Sequence, residues 1–424
     1  MSDALTRRRA NPALQVLAAS AGNALEFYDF TVFAYFAPQI SAAFFPLSTE
    51  AGSLMATWGT FAVAFVARPL GALWLGSYAD RRGRKAALTA CILLMTVGTL
   101  LLAVMPDYAR IGLLAPLGIV IARLLQGFAA GGEFGGATAF MMEHLSRRRG
   151  FMASFQFTSQ SVSNIAGAGA ALAVTQFMTP AAVHDWGFRL PFFAGLLIGP
   201  VGLYLRRHAD ETPVFLRTGP ALAPVTDALR HYKTRIALAA CTISAGTVMT
   251  YLRIYLPTYA QHELHMKATS SFVVPLAGAV VGLFVTPIVG HLSDRIGRFR
   301  PAILGVVLLG LAGYPAFLLI DAAPTLGTLL IVIVALSAVQ SLYSAPIPAL
   351  MGEIFPPSVR GVGMSVGYSM GIMVFGGVTP LISTWLISAT GNRTMPGVYL
   401  AAAGAITLGS LVAIQRFVPL ERDE

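Results

Sequence analysis

Charge is scarce in this sequence. Asp, Glu, Lys and Arg make up only 11% of the 424 residues, whereas a soluble domain carries about 25%. Hydrophobic residues make up 56% of the chain, and the mean hydropathy is +0.69. The shortage of charge excludes an ordinary soluble protein and indicates a chain that crosses a membrane several times.

Cysteine and the common catalytic motifs are also scarce. Cys91 and Cys241 both fall in apolar runs, so we expect no disulfide, no metal site and no haem attachment. The loops contain neither an H-E-x-x-H sequence nor a Gly-Lys-Ser/Thr phosphate-binding loop. These absences argue against an enzyme and against an ATP-driven pump, and we expect no cofactor.

Twelve apolar runs follow one another along the chain, each near the ~20 residues that a helix needs to cross a bilayer. They lie near 13–37, 51–77, 86–105, 111–138, 152–177, 190–206, 235–259, 270–292, 301–320, 325–350, 360–389 and 397–417. We predict an all-α membrane protein with twelve transmembrane helices. Because Met1 to Ala10 is polar and basic, we expect no cleaved signal peptide.

Most of the 29 Lys and Arg fall in alternate predicted loops. The exceptions that fall in the opposite loops are Arg110, Arg189, Lys267 and Arg393. The positive-inside rule then places both termini and the basic loops in the cytoplasm. The net charge of +10 needs no nucleic acid partner, since basic loops can face anionic lipid.

Residues 207–234 form a long polar connection with three prolines and charges of both signs. We interpret it as a linker between two bundles of six helices. The predicted divisions are a cytoplasmic tail at 1–12, an N-terminal bundle at 13–206, a cytoplasmic linker at 207–234, a C-terminal bundle at 235–417 and a cytoplasmic tail at 418–424.

One polar loop occurs twice, about half a chain apart, with the pattern Gly-x-x-x-Asp-Arg-x-Gly-Arg. Glycine permits a tight turn between close helices, and Asp can cap the next helix and pair with Arg. A repeat of this period indicates a duplicated membrane domain. The predicted gating residues are Gly76, Asp80, Arg81, Gly83, Arg84, Gly290, Asp294, Arg295, Gly297 and Arg298.

The doubled loop resembles the signature of the major facilitator superfamily, between the second and third helices and again between the eighth and ninth. The resemblance covers essentially the whole chain and implies two pseudo-symmetric halves of six helices. Gly22–Phe30, Arg123–Phe128 and Gly131–Gly136 look like the metabolite:proton symporter subgroup. Within it, Ile111–Leu117 and Phe375–Thr384 most resemble citrate and tricarballylate carriers.

Arginine within a membrane helix is usually functional or paired, because a charge there costs about 3 kcal/mol on insertion scales. Arg123 and Arg253 fall near mid-bilayer, one in each half. The planar fork of Arg suits a carboxylate, so both are candidate substrate residues. In the alternatives, Arg123 only pairs with Glu26 or Asp29, and Arg253 extends to the outer interface. For Arg68 we favour packing or interhelical structure.

Proton coupling needs a group that can gain and lose a proton, and Arg cannot. Glu26, Asp29 and Glu133 are the carboxylates within predicted spans. A carboxylate whose Arg is shared with an anionic substrate could change its protonation with occupancy. We favour Glu26 and Asp29, whereas Glu133 lies among glycines, where packing or gating is an equal alternative.

Polar side chains are concentrated in the predicted fifth, tenth and eleventh helices. Single Ser or Thr residues usually bond the preceding turn, but the fifth helix carries seven polar residues within nine positions at 156–164. This pattern predicts a wet face. The predicted substrate-binding residues, besides the two arginines, are Gln156, Gln160, Asn164, Tyr343 and Tyr368.

Together these features predict a secondary transporter of the bacterial inner membrane that imports citrate or a related tricarboxylate. A negative cell interior opposes anion entry by ~2.3 kcal/mol per charge per 100 mV, so cations must enter too. We favour H+, with Na+ as the alternative. We expect a monomer in the lipid bilayer with a small organic anion as its substrate. The alternative substrates are a dicarboxylate, shikimate or a zwitterionic osmolyte such as betaine, and the alternative class is a non-transporting membrane sensor.

Overall fold

The computed structural model describes residues 12–82, 84–131, 138, 148–208, 224–356 and 359–420. Within these ranges the regular structure is helical, with no β-strand. The helices of the first half are α1 (Pro12–Tyr35), α2 (Ala37–Phe44), α3 (Glu50–Arg82), α4 (Arg84–Val104), α5 (Tyr108–Ile111), α6 (Leu114–Gly131), α7 (Arg149–Phe177), α8 (Pro180–Asp185) and α9 (Leu190–His208). A short 3₁₀ turn, Gly187–Arg189, precedes α9.

The second half contains several interrupted helices. Its elements are α10 (Pro224–His231), α11 (Lys233–Thr242), α12 (Ser244–His262), α13 (Ala268–Ile296), α14 (Phe299–Ala322), α15 (Leu326–Ser344), α16 (Ile347–Ile354), α17 (Arg360–Gly371), α18 (Thr379–Thr390) and α19 (Met395–Phe417). A π-helical turn, Ile372–Gly376, joins α17 to α18. The axes of α11 and α12 differ by 40°.

Helices occupy the positions of all twelve predicted spans, so the prediction of an all-α membrane protein is confirmed. In the described part of the chain, seven helical segments are long and apolar enough to cross a bilayer, or eight if the bent pair α11–α12 is one span. The predicted linker is partly helical, because α10 lies within it.

Helices α3 and α6 lie with their backbones in direct contact. A Cβ atom added to Gly127 would lie 1.7 Å from the carbonyl oxygen of Ala64, and one added to Gly131 would lie 2.0 Å from that of Arg68. Only glycine allows this approach, because any larger residue would force the helices apart. The contact fixes the position of α3, which carries Arg68, relative to α6, which carries Arg123.

We expect Gly127→Val to destabilise the first half strongly, because its side chain would collide with the α3 backbone. Overpacking of 3 kcal/mol or more would lower the thermal unfolding midpoint by roughly 6–12 °C. The measurement is thermal unfolding of the purified protein in detergent. Gly169→Ala is the matched control, since its new Cβ would meet nothing within 4 Å. An unchanged midpoint for Gly127→Val would contradict the close packing of α3 and α6.

The two halves touch on both sides of a central cavity. On the side of Arg149 and Arg298, which we name the basic side, α7 lies against α13. Toward the opposite side, the ring of Trp58 lies 5.8 Å from that of Tyr255, and the ring of Tyr35 lies 5.6 Å from that of Phe272. These contacts enclose the cavity between the halves.

Candidate functional site

The central cavity is lined by both halves, and its empty space of about 610 Å³ includes the part that is open to solvent. Helices α1 and α7 contribute Phe27, Phe157, Gln160 and Ser161, and the remaining lining residues come from the second half. The cavity therefore lies at the interface of the two halves, where transporters built from two such bundles bind their substrates.

Arg253 is the one charged side chain among the described residues that line this cavity. Its Nη1 donates a hydrogen bond of 3.1 Å to Oε1 of Gln340, while its buried Nε has no partner. The amide of Gln340 is held in turn, because its Nε2 donates to the Gly246 carbonyl at 2.9 Å and to Thr250 Oγ1 at 2.7 Å. The arrangement presents a fixed guanidinium to the cavity.

Three other predicted substrate residues line the cavity as well. Nε2 of Gln160 donates to the hydroxyl of Tyr368 at 3.2 Å, which joins α7 to α17 across the two halves. The Tyr343 hydroxyl donates to the carbonyl of Thr242. These contacts give the cavity a polar wall shared by both halves.

Gln156 and Asn164 are not among the residues that line the cavity. Nε2 of Gln156 donates to Asn23 at 3.1 Å, and Oδ1 of Asn164 accepts from Thr31 at 3.3 Å. Both side chains therefore connect α7 to α1. The polar run at 156–164 predicted one wet face, but a helix turns 100° per residue and divides such a run between two neighbours.

Arg123 also lies outside the cavity lining, fully buried among aromatic rings. Its Cζ is 3.7 Å from the ring centroid of Phe33, and its Nη1 donates to Oε1 of Gln126 at 2.7 Å. It makes no ion pair with Glu26 or Asp29 among the described contacts. Gln126 lies between Arg123 and Asp29 and is hydrogen-bonded to both. Its role was not predicted, although residues three positions apart on a helix are neighbours.

Asp29 is buried and only partly satisfied. Its Oδ2 accepts hydrogen bonds from Thr99 and, at 3.3 Å, from Nε2 of Gln126. Its Oδ1 has no partner, and a Cβ added to Gly195 would lie 2.8 Å from that oxygen. A buried acceptor without a partner is costly, and the cost is greatest for a charged group. Oδ1 is therefore an acceptor to which a proton can bind.

Glu26 pairs with Arg68, and both side chains are buried. The Arg68 guanidinium also lies 5.7–5.9 Å from the ring centroids of Phe27, Phe30 and Phe65. For Arg68 we expected packing or interhelical structure; the pair joins α3 to α1, although Glu26 was not named as the partner. The signal was the presence of carboxylates and arginines in similar number within the predicted spans. Glu133 lies outside the described residues.

The second copy of the repeated loop contacts the opposite half. Asp294 accepts hydrogen bonds from the backbone N–H groups of Gly150 at 2.8 Å and Phe151 at 2.9 Å, at the N-terminus of α7. Arg298 donates to Asp294 at 2.6 Å and to Glu353 at 3.3 Å. Asp294 thus caps a helix of the other half, whereas the pattern suggested a cap on the next helix.

The remaining positions of the repeated loop contribute fewer described contacts between the halves. Gly290 lies against α7, since a Cβ there would be 2.7 Å from Ser154 Cβ. Gly297 has a φ of +90°, which favours glycine, and Arg295 is exposed. In the first copy of the loop, Gly83 lies outside the described residues, and so do the side chains of Asp80, Arg81 and Arg84. Gly76 lies in α3.

Two helical halves that enclose a polar cavity at their interface, in a chain of apolar spans, define a multi-pass membrane transport protein. Neither the motifs nor the site indicates an enzyme. The chain belongs to the Major Facilitator Superfamily, whose family model matches residues 19–322 and 283–424. The expectation drawn from the doubled loop is thereby confirmed.

The curated relatives are transporters. The chain is 39% identical over 394 residues to the citrate-proton symporter of Klebsiella pneumoniae, which covers 92% of this chain and 88% of the relative. It is 36% identical to the citrate-proton symporter of Salmonella typhi, over 96% of this chain and 94% of the relative. It is 31% identical to the proline/betaine transporter of Escherichia coli, over 93% of this chain and 81% of the relative.

Solved structures support the fold. A D-xylose-proton symporter superposes with a TM-score of 0.74 at 17% identity, over 97% of this chain and 98% of the other. The partially occluded inward open conformation of the xylose transporter XylE from E. coli gives 0.73 at 16% identity, over 97% and 99%. At this level of identity the likeness concerns the fold alone.

Proposed function

We propose that this protein imports citrate or a related tricarboxylate together with protons, by alternating access of a central site. The observation that carries the proposal is the buried guanidinium of Arg253 in a polar cavity that has no other charged lining residue among those described. The relatives named citrate-proton symporters support the same substrate class. The protein acts as a monomer in the bacterial inner membrane, with both termini in the cytoplasm.

The chemistry of the cavity suits an organic anion. The unpartnered Nε of Arg253 can donate to a carboxylate, and hydroxyl groups of Thr250, Thr286 and Ser341 line the same space. Charge-assisted bonds from Arg to a carboxylate are stronger than neutral ones and fix its orientation. Gln160, Tyr343 and Tyr368 complete the polar wall around the substrate.

A zwitterion such as betaine is the second candidate. Phe27, Tyr251 and Tyr368 line the cavity, and aromatic faces attract quaternary ammonium groups. The likeness to a proline/betaine transporter supports this candidate. Such a substrate would place its carboxylate on Arg253 and its cation against the rings.

Glu26 and Asp29 are the proposed proton carriers. Both carboxyl groups are buried in the first half, near the cavity but not among its lining residues. A proton that binds there neutralises a charge that burial makes costly. The entry of protons would also offset the negative charge of the substrate, with Na+ as the alternative cation.

The experiment that tests the proposal is uptake of labelled citrate into proteoliposomes, with an imposed inward proton gradient and with Na+ varied separately. Tricarballylate, succinate, shikimate and betaine serve as unlabelled competitors. Proton-driven uptake that tricarballylate blocks is expected. Uptake of betaine without citrate would support the zwitterion candidate, accumulation only with Na+ would overturn the assigned cation, and saturable binding without any uptake would indicate a sensor.

The proposed gating role of the repeated loop can be tested separately. Asp294→Ala removes a helix cap worth about 0.5–2 kcal/mol, so the basic side should open about 2- to 30-fold more often. The measurement is maleimide labelling of Ser154→Cys in a background with Cys91→Ser and Cys241→Ser. Asp294→Asn, which keeps an acceptor oxygen, is the matched control and should label more slowly than Asp294→Ala. Equal labelling rates in Asp294→Ala, Asp294→Asn and the protein that keeps Asp294 would contradict the gating role.

A further inference from the structure

Three buried side chains next to the cavity have donor groups without hydrogen-bond partners. The groups are Nε and Nη1 of Arg68, Nε and Nη2 of Arg123, and the hydroxyl of Tyr251. Each side chain is at most 1% exposed. Buried polar groups in folded proteins are nearly always paired, so a cluster of unpaired donors indicates a site suited to a ligand with several acceptors.

These donors surround one group of aromatic rings. The ring centroid of Phe30 lies 5.8 Å from Cζ of Arg68 and 5.3 Å from Cζ of Arg123. The ring of Tyr251 lies 5.3 Å from that of Phe65, which is itself 5.7 Å from Cζ of Arg68. The two arginines and the tyrosine therefore belong to one cluster, contributed by both halves.

The cluster adjoins the cavity through two side chains that line it, Phe27 and Tyr251. The ring centroid of Phe27 is 5.9 Å from Cζ of Arg68, so this one ring adjoins both the guanidinium and the cavity.

The ligand class follows from the group that Arg68 already binds. The carboxylate of Glu26 occupies one side of this guanidinium. A carboxylate of the substrate has the same charge and geometry, so the two groups can replace each other. Arg123 is less suited to this exchange, because Gln126 holds its Nη1 and the rings of Phe30, Phe33 and Phe61 surround it.

We infer that Arg68 and Tyr251 form a second carboxylate subsite beside Phe27, where a substrate carboxylate replaces Glu26. The inference rests on the proposed function and deepens it. The released Glu26 carboxylate binds one proton from the aqueous side and becomes neutral, and no covalent bond to carbon forms or breaks. The buried subsite gains one negative charge and one proton, so its net charge is unchanged and the uncompensated charge that burial penalises is avoided.

Two consequences distinguish this subsite from a purely structural ion pair. The substrate must carry at least two carboxylates, one for Arg253 and one for Arg68, which favours tricarboxylates and dicarboxylates over betaine. Substrate binding must also take up a proton at Glu26. A structural pair would give neither the preference for several carboxylates nor the proton uptake.

The test is calorimetric binding of tricarballylate to the purified full-length protein in buffers of different ionisation enthalpy, which counts the protons taken up. Glu26→Gln should take up one proton fewer than the wild type while still binding tricarballylate. Arg68→Gln should bind it roughly 10- to 100-fold more weakly, with little change for propionate, which has a single carboxylate. Asp107→Asn is the matched control: it removes the negative charge that pairs with Arg189, neither residue lines the cavity, and both quantities should stay unchanged.

Equal proton uptake by Glu26→Gln and the wild type would overturn the exchange at Glu26. A parallel loss of tricarballylate and propionate binding in Arg68→Gln would overturn the subsite. If Arg68→Gln does not fold, the proton count of Glu26→Gln decides, since glutamine can still accept a hydrogen bond from Arg68. A wild-type protein that binds no carboxylate would refute the proposed function itself, whereas carboxylate binding without these differences would refute only the subsite.

Discussion

Replacing Arg253 with glutamine is expected to lower kcat/KM for citrate uptake by roughly a hundredfold. The substitution removes two charge-assisted hydrogen bonds to a carboxylate, each worth about 1.5 kcal/mol, and a factor of ten corresponds to 1.4 kcal/mol. The loss should be large because the guanidinium is buried and is the one charged group among the described cavity residues. Initial rates of uptake into proteoliposomes over a range of citrate concentrations provide the measurement.

Two control variants sharpen this result. Arg253→Lys keeps the charge but loses the planar fork, so we expect an intermediate rate. Arg189→Gln removes an arginine that pairs with Asp107 and is not among the residues that line the cavity, so it should leave the KM for citrate unchanged. A wild-type KM in Arg253→Gln would show that this residue does not bind the substrate.

Replacing Asp29 with asparagine is expected to abolish part of the proton-driven accumulation without abolishing exchange. Each coupled proton contributes 1.36 kcal/mol per unit of pH gradient, so the loss of one proton should lower the accumulation ratio about tenfold per pH unit. Exchange of labelled for unlabelled citrate needs no net proton movement and should persist. The measurement compares the two modes in the same proteoliposomes.

The structural reason for this expectation is the unpartnered Oδ1 of Asp29. Asparagine preserves the size of the side chain, and its amide can keep one oxygen toward Thr99 and Gln126, so the fold should tolerate it. Asp107→Asn is again the matched control for loss of a carboxylate outside the site. An unchanged accumulation ratio in Asp29→Asn would exclude this carboxyl group as a proton carrier and leave Glu26 as the candidate.

The sequence was sufficient for the architecture. Apolar runs of bilayer length and a polar loop repeated half a chain later reflect constraints that act locally, so they can be recognised without a structure. The interruptions of the second half were not predicted. The break between α15 and α16 falls at Pro346 and Pro348, a local signal that was not used, since proline cannot continue a helix. The π-helical turn at Ile372–Gly376 has no such signal in the apolar pattern.

The site was predictable in part. The depth of a residue in the bilayer can be counted along a predicted helix, and this count placed Arg123 and Arg253 near its middle. Both side chains are buried in the structure. The direction in which a side chain points could not be derived, because these helices are apolar on most sides and provide little periodic signal. Of these two, Arg253 lines the cavity and Arg123 does not. The similar numbers of carboxylates and arginines in the spans indicated buried pairs, but not which residue would pair with Arg68, since Glu26 lies 42 positions away in a different helix.

The cap that Asp294 forms on α7 constrains the amino acid at position 294 much more than the amino acid at position 151. The acceptor is a side chain, whereas the donors are main-chain N–H groups, which every amino acid except proline supplies. Residue 151 can therefore change from phenylalanine to many others without removing the contact, while position 294 tolerates almost none. In a saturation mutagenesis of this interface, tolerance would be concentrated on one of the two halves, so sequence variability alone would conceal the importance of Phe151.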